Sequence, residues 1–227
     1  MNAAMAWRRC TGGGVHAEAE AEADGAAAAG RVATVAAMAA EEMKPLDRLV
    51  AHDEIRMLAH RYALALDSRD LDALVALFVP DVQIGAHLVG RNALKGFFDR
   101  TLRDVGVTVL HVGGHVIDLD DPDHARGTVY CRGGIQQGDH WIEQAIAYLD
   151  TYERRDGRWL FVRRDHHLFY GVQTSEQPLA QEPARWPASS VGVGTLPEAW
   201  PSWGAFWASD PPSPTGEDEA GTRADRA

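Results

Sequence analysis

The hydrophobic pattern of this chain changes its repeat near residue 106, and that change limits the folds available to it. Upstream, apolar residues recur every three or four positions, which is typical of amphipathic helices. Downstream, apolar and polar residues alternate along long segments, which is typical of strands that bury one face. Helices followed by strands predict an α+β fold, with the helices packed on one face of an antiparallel sheet.

Three helices are predicted before the change of repeat. The first covers about residues 46–67, where leucine, isoleucine and alanine recur at helical spacing. Asp70 is a suitable N-cap for a short second helix, "LDALVALF", which ends at Pro80. The segment "VQI" is typical of a short strand, and "GRNALKGFFDRTLRD" is the third helix, with its large apolar residues on one side.

Four strands are predicted after the change, at about 107–119, 125–136, 140–155 and 158–170. The segments that join them, "DDPDH", "QQGD" and "RDG", have the composition of turns. Glycines inside such long strands predict strong curvature. We therefore expect the helices and the sheet to form a cone with one open end.

The two ends of the chain differ in composition from its centre. Residues 43–172 hold all the predicted elements and are long enough for one domain with a sizeable core. Residues 1–42 are rich in alanine, glycine and glutamate and offer few large side chains to bury, so we expect them to be disordered. The acidic, proline-containing tail at 209–227 is expected to be disordered for the same reason.

Residues 173–208 are predicted to be an ordered extension of this domain. Their tryptophans would form a large apolar patch if exposed, so we expect the rings to pack on the domain. The extension would then close the mouth of the cone or lie at a subunit interface. The tryptophans concerned are Trp186, Trp200, Trp203 and Trp207.

Charge and cysteine content exclude several classes of protein. The net charge of −11 argues against nucleic acid or an anionic membrane as a partner. No apolar run is long enough to span a bilayer. Cys10 and Cys131 cannot form a disulfide framework or a metal cluster, and we expect a reducing, cytoplasmic environment.

The segment "TVLHVGGHVIDLDD", residues 108–121, places two histidines and two glycines in one predicted strand. Strict alternation puts His111 and His115 on the same face of that strand. Glycine weakens a strand and often marks a bend or a bulge, so we expect curvature at Gly113–Gly114. We predict that His111 points into a pocket and that His115 lies towards its rim.

Three segments resemble a known family: "RYALALDSRDLDALVALF", "LHVGGHVIDL" and "YLDTYERRDGRWLFVRRDHH". Their order and spacing over about residues 46–172 are similar to the SnoaL-like branch of the nuclear transport factor 2-like superfamily. The resemblance implies the cone-shaped α+β fold. It does not specify the reaction, because this fold supports several kinds of enzyme as well as non-catalytic binding proteins.

For the lyases of that branch, the resemblance implies a catalytic pair at Asp67 and His111. A neutral imidazole is a suitable proton acceptor near pH 7, and a carboxylate bonded to its other nitrogen would orient it. Each residue also has a structural alternative. Asp67 could cap the turn after the first helix, and His111 could be an ordinary histidine of the core.

The resemblance and the strand pattern suggest further contacts with the substrate. Tyr62 lies on the same helix as Asp67, although it could be an ordinary core aromatic. Arg164 matches an arginine that assists the leaving group, but an ion pair across the strands with Asp150 is an equally good interpretation. His166 has the same strand parity as Arg164 and could line the same wall.

Two positions depart from the pattern of the dehydratases in this branch. Cys131 stands at or near the position where they carry a second acid or base, and Leu66 stands where one of them has a tyrosine. We include Cys131 among the candidate substrate contacts. These departures argue against the reactions of those particular dehydratases.

The residues predict no metal and no cofactor. The histidines in "DHH", 165–167, are adjacent in a strand and would point to opposite faces. We therefore expect a cofactor-independent lyase or isomerase that acts on a small, largely apolar cyclic molecule, or else a non-catalytic module that binds one. A homodimer that pairs through the outer face of the sheet is also expected.

Overall fold

The computed structural model describes residues 43–211, and the predicted disordered segment 1–42 and most of 209–227 lie outside the described residues. The helices are α1 (Pro45–Asp67), α2 (Leu71–Ala76), α3 (Arg91–Arg103) and α4 (Pro201–Ala208), and a 3-10 turn covers Pro178–Ala180. The strands are β1 (Gln83–Ile84), β2 (Leu88–Val89), β3 (Thr108–Leu119), β4 (His124–Gln137), β5 (His140–Arg155) and β6 (Arg158–Gln173).

The four long strands form an antiparallel meander in the order β3-β4-β5-β6, while β1 and β2 form a small separate hairpin. Helix α1 packs on β3 and β6, and α2 packs on α3. The prediction of an α+β fold with helices on one face of an antiparallel sheet is therefore confirmed.

The helices form where the apolar spacing predicts them. One side of α1 is buried against the sheet, including Ile55 and Leu66, which are at most 1% exposed. The predicted cap of α2 is present, because the Asp70 side chain accepts a hydrogen bond from the backbone N–H of Ala73 at 3.0 Å. In α3, Leu94 and Phe98 are buried.

The sheet is curved by three interruptions of its pairing register. The first inserts one extra residue into β3 between Val112 and His115. The other two insert one extra residue each into β6, Phe169 opposite Ala145–Ile146 and Val162 opposite Thr151–Tyr152. The first is at the Gly113–Gly114 pair that the sequence singled out. Extra residues of this kind bend a strand and increase its twist, which lets the sheet wrap around the helices.

The extension after β6 packs on the helices through α4. Trp203 and Phe206 of α4 are buried, and the ring of Trp203 lies 4.9 Å from the Arg69 guanidinium. Arg103 Nη2 donates to the backbone oxygen of Phe206 at 3.1 Å. Trp186 is 77% exposed, so the expectation that all the tryptophans of the extension pack on the domain is wrong for that residue. Trp207 is 40% exposed and contacts only the rings of Trp203 and Phe206 among the described aromatic residues.

Candidate functional site

The main cavity has a volume of about 270 Å³ and lies between the helices and the concave face of the sheet. Eight of its fifteen lining residues are aliphatic, and six carry polar side chains, three of which are glutamines. Its lining residues are Leu66, Leu102, Val105, Thr108, Leu110, Ile135, Gln137, Ile142, Gln144, Ile146, Tyr148, His166, Leu168, Gly171 and Gln173. A small apolar molecule with one or two polar groups fits this chemistry.

The extension does not close this cavity as predicted. Within the described chain, the lining residues end at Gln173, and none comes from 174–211. Helix α4 lies instead behind the wall, where the Ser202 hydroxyl donates to the backbone oxygen of Ser68 at 2.8 Å. The extension therefore supports the helices that form the cavity from outside.

The two histidines of β3 face opposite sides of the sheet, contrary to the prediction from strict alternation. Thr108 and Leu110 line the cavity, so His111 points away from it, and its side chain is exposed beside an open depression on the outer face. The extra residue at Gly113–Gly114 then reverses the alternation. As a result His115, which we expected at the rim, points into the interior.

Asp67 joins the end of α1 to the edge strand β3. Its Oδ1 accepts a hydrogen bond from the Thr108 hydroxyl at 2.8 Å, and its Oδ2 accepts one from the backbone N–H of Leu110 at 2.9 Å. Burial raises the pKa of the Asp67 carboxyl to about 6, although both hydrogen bonds oppose that shift. The carboxyl thus titrates near neutral pH while it holds the strand.

The predicted pair of Asp67 and His111 is not assembled in this structure. Both carboxylate oxygens are engaged with β3, and the described residues include no hydrogen-bond partner for the His111 ring. His111 does lie near enough for its charge to lower the pKa of Asp67. The expectation that His111 points into the cavity is wrong, because the strand reverses its parity only after this residue.

We expect the stability of Asp67→Asn relative to the wild type to rise between pH 4.5 and pH 7. The folded state holds the Asp67 proton more tightly than the unfolded chain, whose carboxyl has a pKa near 3.8. The wild type therefore loses stability as the pH rises from about 4 to about 6, by on the order of 3 kcal/mol, and the variant does not. Thermal unfolding of both proteins across this range measures the difference.

Asp53→Asn is the matched control for that experiment, because Asp53 is an exposed carboxylate on the same helix. Its difference from the wild type should stay nearly constant with pH. A difference for Asp67→Asn that is equally flat would contradict the burial of a titrating carboxyl at this place.

Arg164 forms a buried ion pair with Asp150, which is the alternative that the sequence left open. The Nε and Nη2 atoms donate to the two carboxylate oxygens, each at 2.9 Å, and the two side chains are 4% and 0% exposed. Burial lowers the pKa of Arg164, but the Asp150 carboxylate outweighs burial and raises it above its usual range. Arg164 is therefore a permanent cation that is neutralised at short range.

Aromatic rings surround this cation. Its guanidinium carbon lies 4.4 Å from the ring of Tyr62, 4.2 Å from that of Tyr148 and 4.5 Å from that of Phe161. Tyr62 is 2% exposed and does not line the main cavity. It lines a second cavity of about 50 Å³, together with Arg164 and His166.

His115 extends the same polar network towards β3. Its Nε2 lies 3.0 Å from the Tyr152 hydroxyl, which donates to Asp150 Oδ2 at 2.9 Å. Burial, followed by the charge of Arg164, lowers the pKa of His115 to about 4, so the ring is neutral. Since the tyrosine proton goes to Asp150, Nε2 carries the histidine proton and donates to the tyrosine oxygen.

Cys131 is buried on the inner face of β4, in a cluster that includes Val129, Ile146 and Tyr148. Burial raises the pKa of its thiol to about 11. The side chain is therefore a neutral thiol at physiological pH and packs as a small apolar residue. It is absent from the residues that line the main cavity.

His166 is the one histidine among the residues lining the main cavity, and it also lines the second cavity. Its ring lies 5.5 Å from the ring of Tyr148, at an interplanar angle of 69°. The prediction from strand parity that His166 shares a wall with Arg164 agrees with the lining of the second cavity. This imidazole is the titratable group best placed to meet a molecule in either space.

Tyr148 was missed by the sequence analysis. It lines the main cavity, is 2% exposed, and its hydroxyl has no hydrogen-bond partner within residues 43–211. A signal was available, because Tyr148 has the same parity in its strand as Asp150, which was already singled out. A phenol on the inner face of a long strand was a candidate for the site.

Residues 43–211 contain neither a metal-binding cluster nor a membrane-spanning helix. Within that range, no three His, Cys, Asp or Glu side chains form a group that could hold a metal ion. No helix in the same range is long and apolar enough to cross a membrane.

The family profile described as the SnoaL-like domain matches residues 47–165 of the 227-residue chain. The helices and the curved four-stranded sheet have the nuclear transport factor 2-like fold. The chain belongs to the SnoaL-like domain family.

Its relatives include the γ-hexachlorocyclohexane dehydrochlorinase of Sphingobium indicum, with 28% identity over 131 residues, which is 54% of this chain and 83% of that enzyme. Similar solved structures include a putative scytalone dehydratase from Novosphingobium aromaticivorans, with a TM-score of 0.52 and 22% identity over 59% of this chain and 94% of that one. Another is a hexachlorocyclohexane dehydrochlorinase from Novosphingobium barchaimii, with a TM-score of 0.53 and 21% identity over 59% and 97%. At these identities the solved structures establish the fold.

Proposed function

We propose that this protein is a cofactor-independent lyase or isomerase that moves a proton on a small, largely apolar molecule. The observation that carries the proposal is an apolar cavity of about 270 Å³ with His166 in its wall. The relationship to a dehydrochlorinase agrees with elimination chemistry.

His166 is the proposed general base. Neutral imidazole accepts a proton near pH 7, and the apolar wall keeps water away from the reacting carbon. In an elimination, His166 would take a proton from carbon, the C–H electrons would form a double bond, and the leaving group would depart with its electron pair. In an isomerisation, the same proton would return at a different carbon.

Arg164 holds the site together in this proposal and does not assist the leaving group. Both oxygens of Asp150 are bound to the guanidinium, so the pair presents little net charge to a departing anion. The aromatic rings around the cation fix it further. Tyr62, His115 and Cys131 then act by shaping the wall behind the cavity.

We expect His166→Ala to lose at least about 100-fold in turnover, because positioned proton transfer contributes about that much or more. Chloride release from γ-hexachlorocyclohexane and water loss from a cyclic β-hydroxy ketone are the first assays to run. The geometry predicts a change below threefold for His111→Ala, since that side chain lies outside the cavity.

The pair of variants separates two assignments of the base. Loss in His111→Ala with normal turnover in His166→Ala would restore the predicted pair of Asp67 and His111 and reject His166. Circular dichroism must show that both variants are folded, so that lost turnover reports on chemistry.

A non-catalytic binding module is the second candidate, and one observation favours it. The acid and base that the resemblance implies are Asp67 and His111, yet both carboxylate oxygens of Asp67 are hydrogen-bonded to β3. A hydrophobic ligand that is held tightly and recovered unchanged after long incubation would support this alternative.

Homodimer formation and a cytoplasmic location stay predictions. Support for sheet-to-sheet pairing comes from large side chains exposed on the four-stranded sheet: Val116 at 66%, Tyr130 at 56% and Phe169 at 64%. The rings of Tyr130 and Phe169 are in contact, with centroids 5.7 Å apart. A second copy of the chain would cover such a surface.

A further inference from the structure

Gln144 carries a side-chain amide that lines the main cavity without being bonded to the protein. The residue is 8% exposed, and its amide forms no hydrogen bond to any other group within residues 43–211. Its oxygen and nitrogen are not among the unpartnered polar atoms of that range that are cut off from solvent, so both keep accessible surface. At a residue buried to this degree, that surface faces the cavity.

Two glycines flank Gln144 on the neighbouring strands, and one of them leaves the amide uncovered. The pairing register places Gly133 of β4 and Gly171 of β6 directly beside Gln144. The space over Gly133 is filled, because an added Cβ would lie 3.1 Å from Leu110 Cδ2 and 3.4 Å from Ile146 Cδ1. A Cβ on Gly171 would meet Gln144 Nε2 at 3.9 Å and no atom closer than 3.7 Å. The gap over Gly171 therefore opens one side of the amide to the cavity.

The other two glutamines of the lining differ from Gln144. Gln173 is exposed, and its Nε2 lies within hydrogen-bond distance of His140 Nδ1, at 3.0 Å. Gln137 is half-buried and lies beside the turn between β4 and β5. Both can bond to bulk water when a ligand occupies the cavity. The amide of Gln144 depends on what the cavity contains.

The chemistry of the lining limits the group that Gln144 can meet. The lining includes no carboxylate, lysine or arginine among the described residues, so a charged ligand would be left without a counter-charge. A neutral ligand that fills the cavity displaces the water bound to the amide and has to replace its hydrogen bonds to both Oε1 and Nε2. A ketone can only accept. An amide whose N–H and C=O lie on the same side matches both atoms of Gln144 at once.

We infer that Gln144 is a specificity residue that binds an amide group of the ligand, as found in a lactam or a primary carboxamide. The ligand N–H donates to Gln144 Oε1, and the ligand carbonyl oxygen accepts from Nε2. Tyr148, the strand neighbour of His166, lies four residues further along β5, which is roughly 13 Å of strand. The amide of the ligand is thus held at one end of the cavity, and its apolar body extends along the aliphatic wall towards His166.

The inference deepens the proposed function by naming the class of ligand, but its test measures binding alone. Calorimetric titrations compare the bicyclic lactam dihydrocarbostyril with its N-methyl derivative, which has no N–H, and with the hydrocarbon tetralin. Gln144→Leu should weaken the lactam about tenfold or more, as for two neutral hydrogen bonds, and change tetralin less than twofold. In the wild type the N-methyl derivative should bind more weakly than the lactam. Turnover does not enter, so the result stands whether or not His166 is a base.

Gln173→Leu is the matched control, because Gln173 lines the same cavity but its amide is engaged by His140. It should leave the ratio of the lactam and tetralin affinities unchanged. Gly171→Ala is a second variant with a fold that is easily kept, since the methyl group fits and glycine weakens a strand. It should keep or raise the melting temperature and lower the affinity ratio, because the methyl group covers the amide.

Three results would overturn the inference. The first is an affinity ratio that Gln144→Leu leaves unchanged, or that Gly171→Ala leaves unchanged if Gln144→Leu does not fold. The second is equal binding of the lactam and its N-methyl derivative to the wild type. The third is a wild type that does not bind the lactam.

Discussion

Asp150→Asn should lower the free energy of unfolding by about 3–5 kcal/mol, because it leaves a buried cation without a counter-charge. Arg164 is neutralised by one carboxylate, and the aromatic rings around it cannot replace that charge. The substitution keeps the size of the side chain, so the loss reports on charge rather than on packing. Urea unfolding followed by circular dichroism measures it.

A control and a rescue make this prediction specific. Asp120 and Arg126 also form an ion pair, but Arg126 is 68% exposed, so Asp120→Asn should cost less than about 1 kcal/mol. Combining Asp150→Asn with Arg164→Met removes the unpaired charge and should recover part of the loss. If the double variant is less stable than Asp150→Asn alone, the cation is stabilised mainly by its rings.

Trp203→Ala should lower the free energy of unfolding by about 3–5 kcal/mol, the usual cost of removing a buried aromatic side chain. Trp203 is 9% exposed and covers the guanidinium of Arg69, which is itself 2% exposed. Arg69 Nη1 donates to the Leu66 oxygen at 2.6 Å and to the Thr108 hydroxyl at 3.0 Å. Loss of the indole would admit water to the group that joins α1 to β3.

Trp186→Ala is the matched control, since that ring is 77% exposed in the same extension. It should change stability by less than about 0.5 kcal/mol. Ending the chain after Val172 should cost at least as much as Trp203→Ala, because it also removes Phe206. Equal stability of the wild type and of Trp203→Ala would show that the extension is only a tether.

The fold could be predicted from the sequence because its determinants are local. The apolar spacing of residues 46–67 agrees with α1 at Pro45–Asp67 to within one residue, and the turn at "RDG" separates β5 from β6. Period, caps and turn residues act over a few positions, so they can be recognised without knowledge of the tertiary structure.

The site was harder to predict because it depends on the face of the sheet to which each side chain points. Strand parity predicted that His166 and Arg164 lie on the same face of β6, and no register interruption separates the two. The same rule failed for His111 and His115, since one extra residue lies between them. Tyr148 was missed because a hydroxyl without a partner is a property of packing, which no local pattern records.

The extra residue in β3 has a consequence for comparisons between SnoaL-like proteins. Leu110 lines the cavity and Ile117 belongs to the core, but a strand of unbroken alternation would have turned one of the two outward, since they are seven positions apart. A relative that lacks the insertion, or carries it elsewhere, would present a histidine in the same letter motif to the other side of its sheet. Two relatives can therefore share a histidine at the same position of the motif and still place its side chain on opposite faces of the sheet. Before a catalytic role is assigned to a strand residue by comparison with a relative, the alternation of the strand should be counted from the nearest side chain whose position in the core or cavity is known.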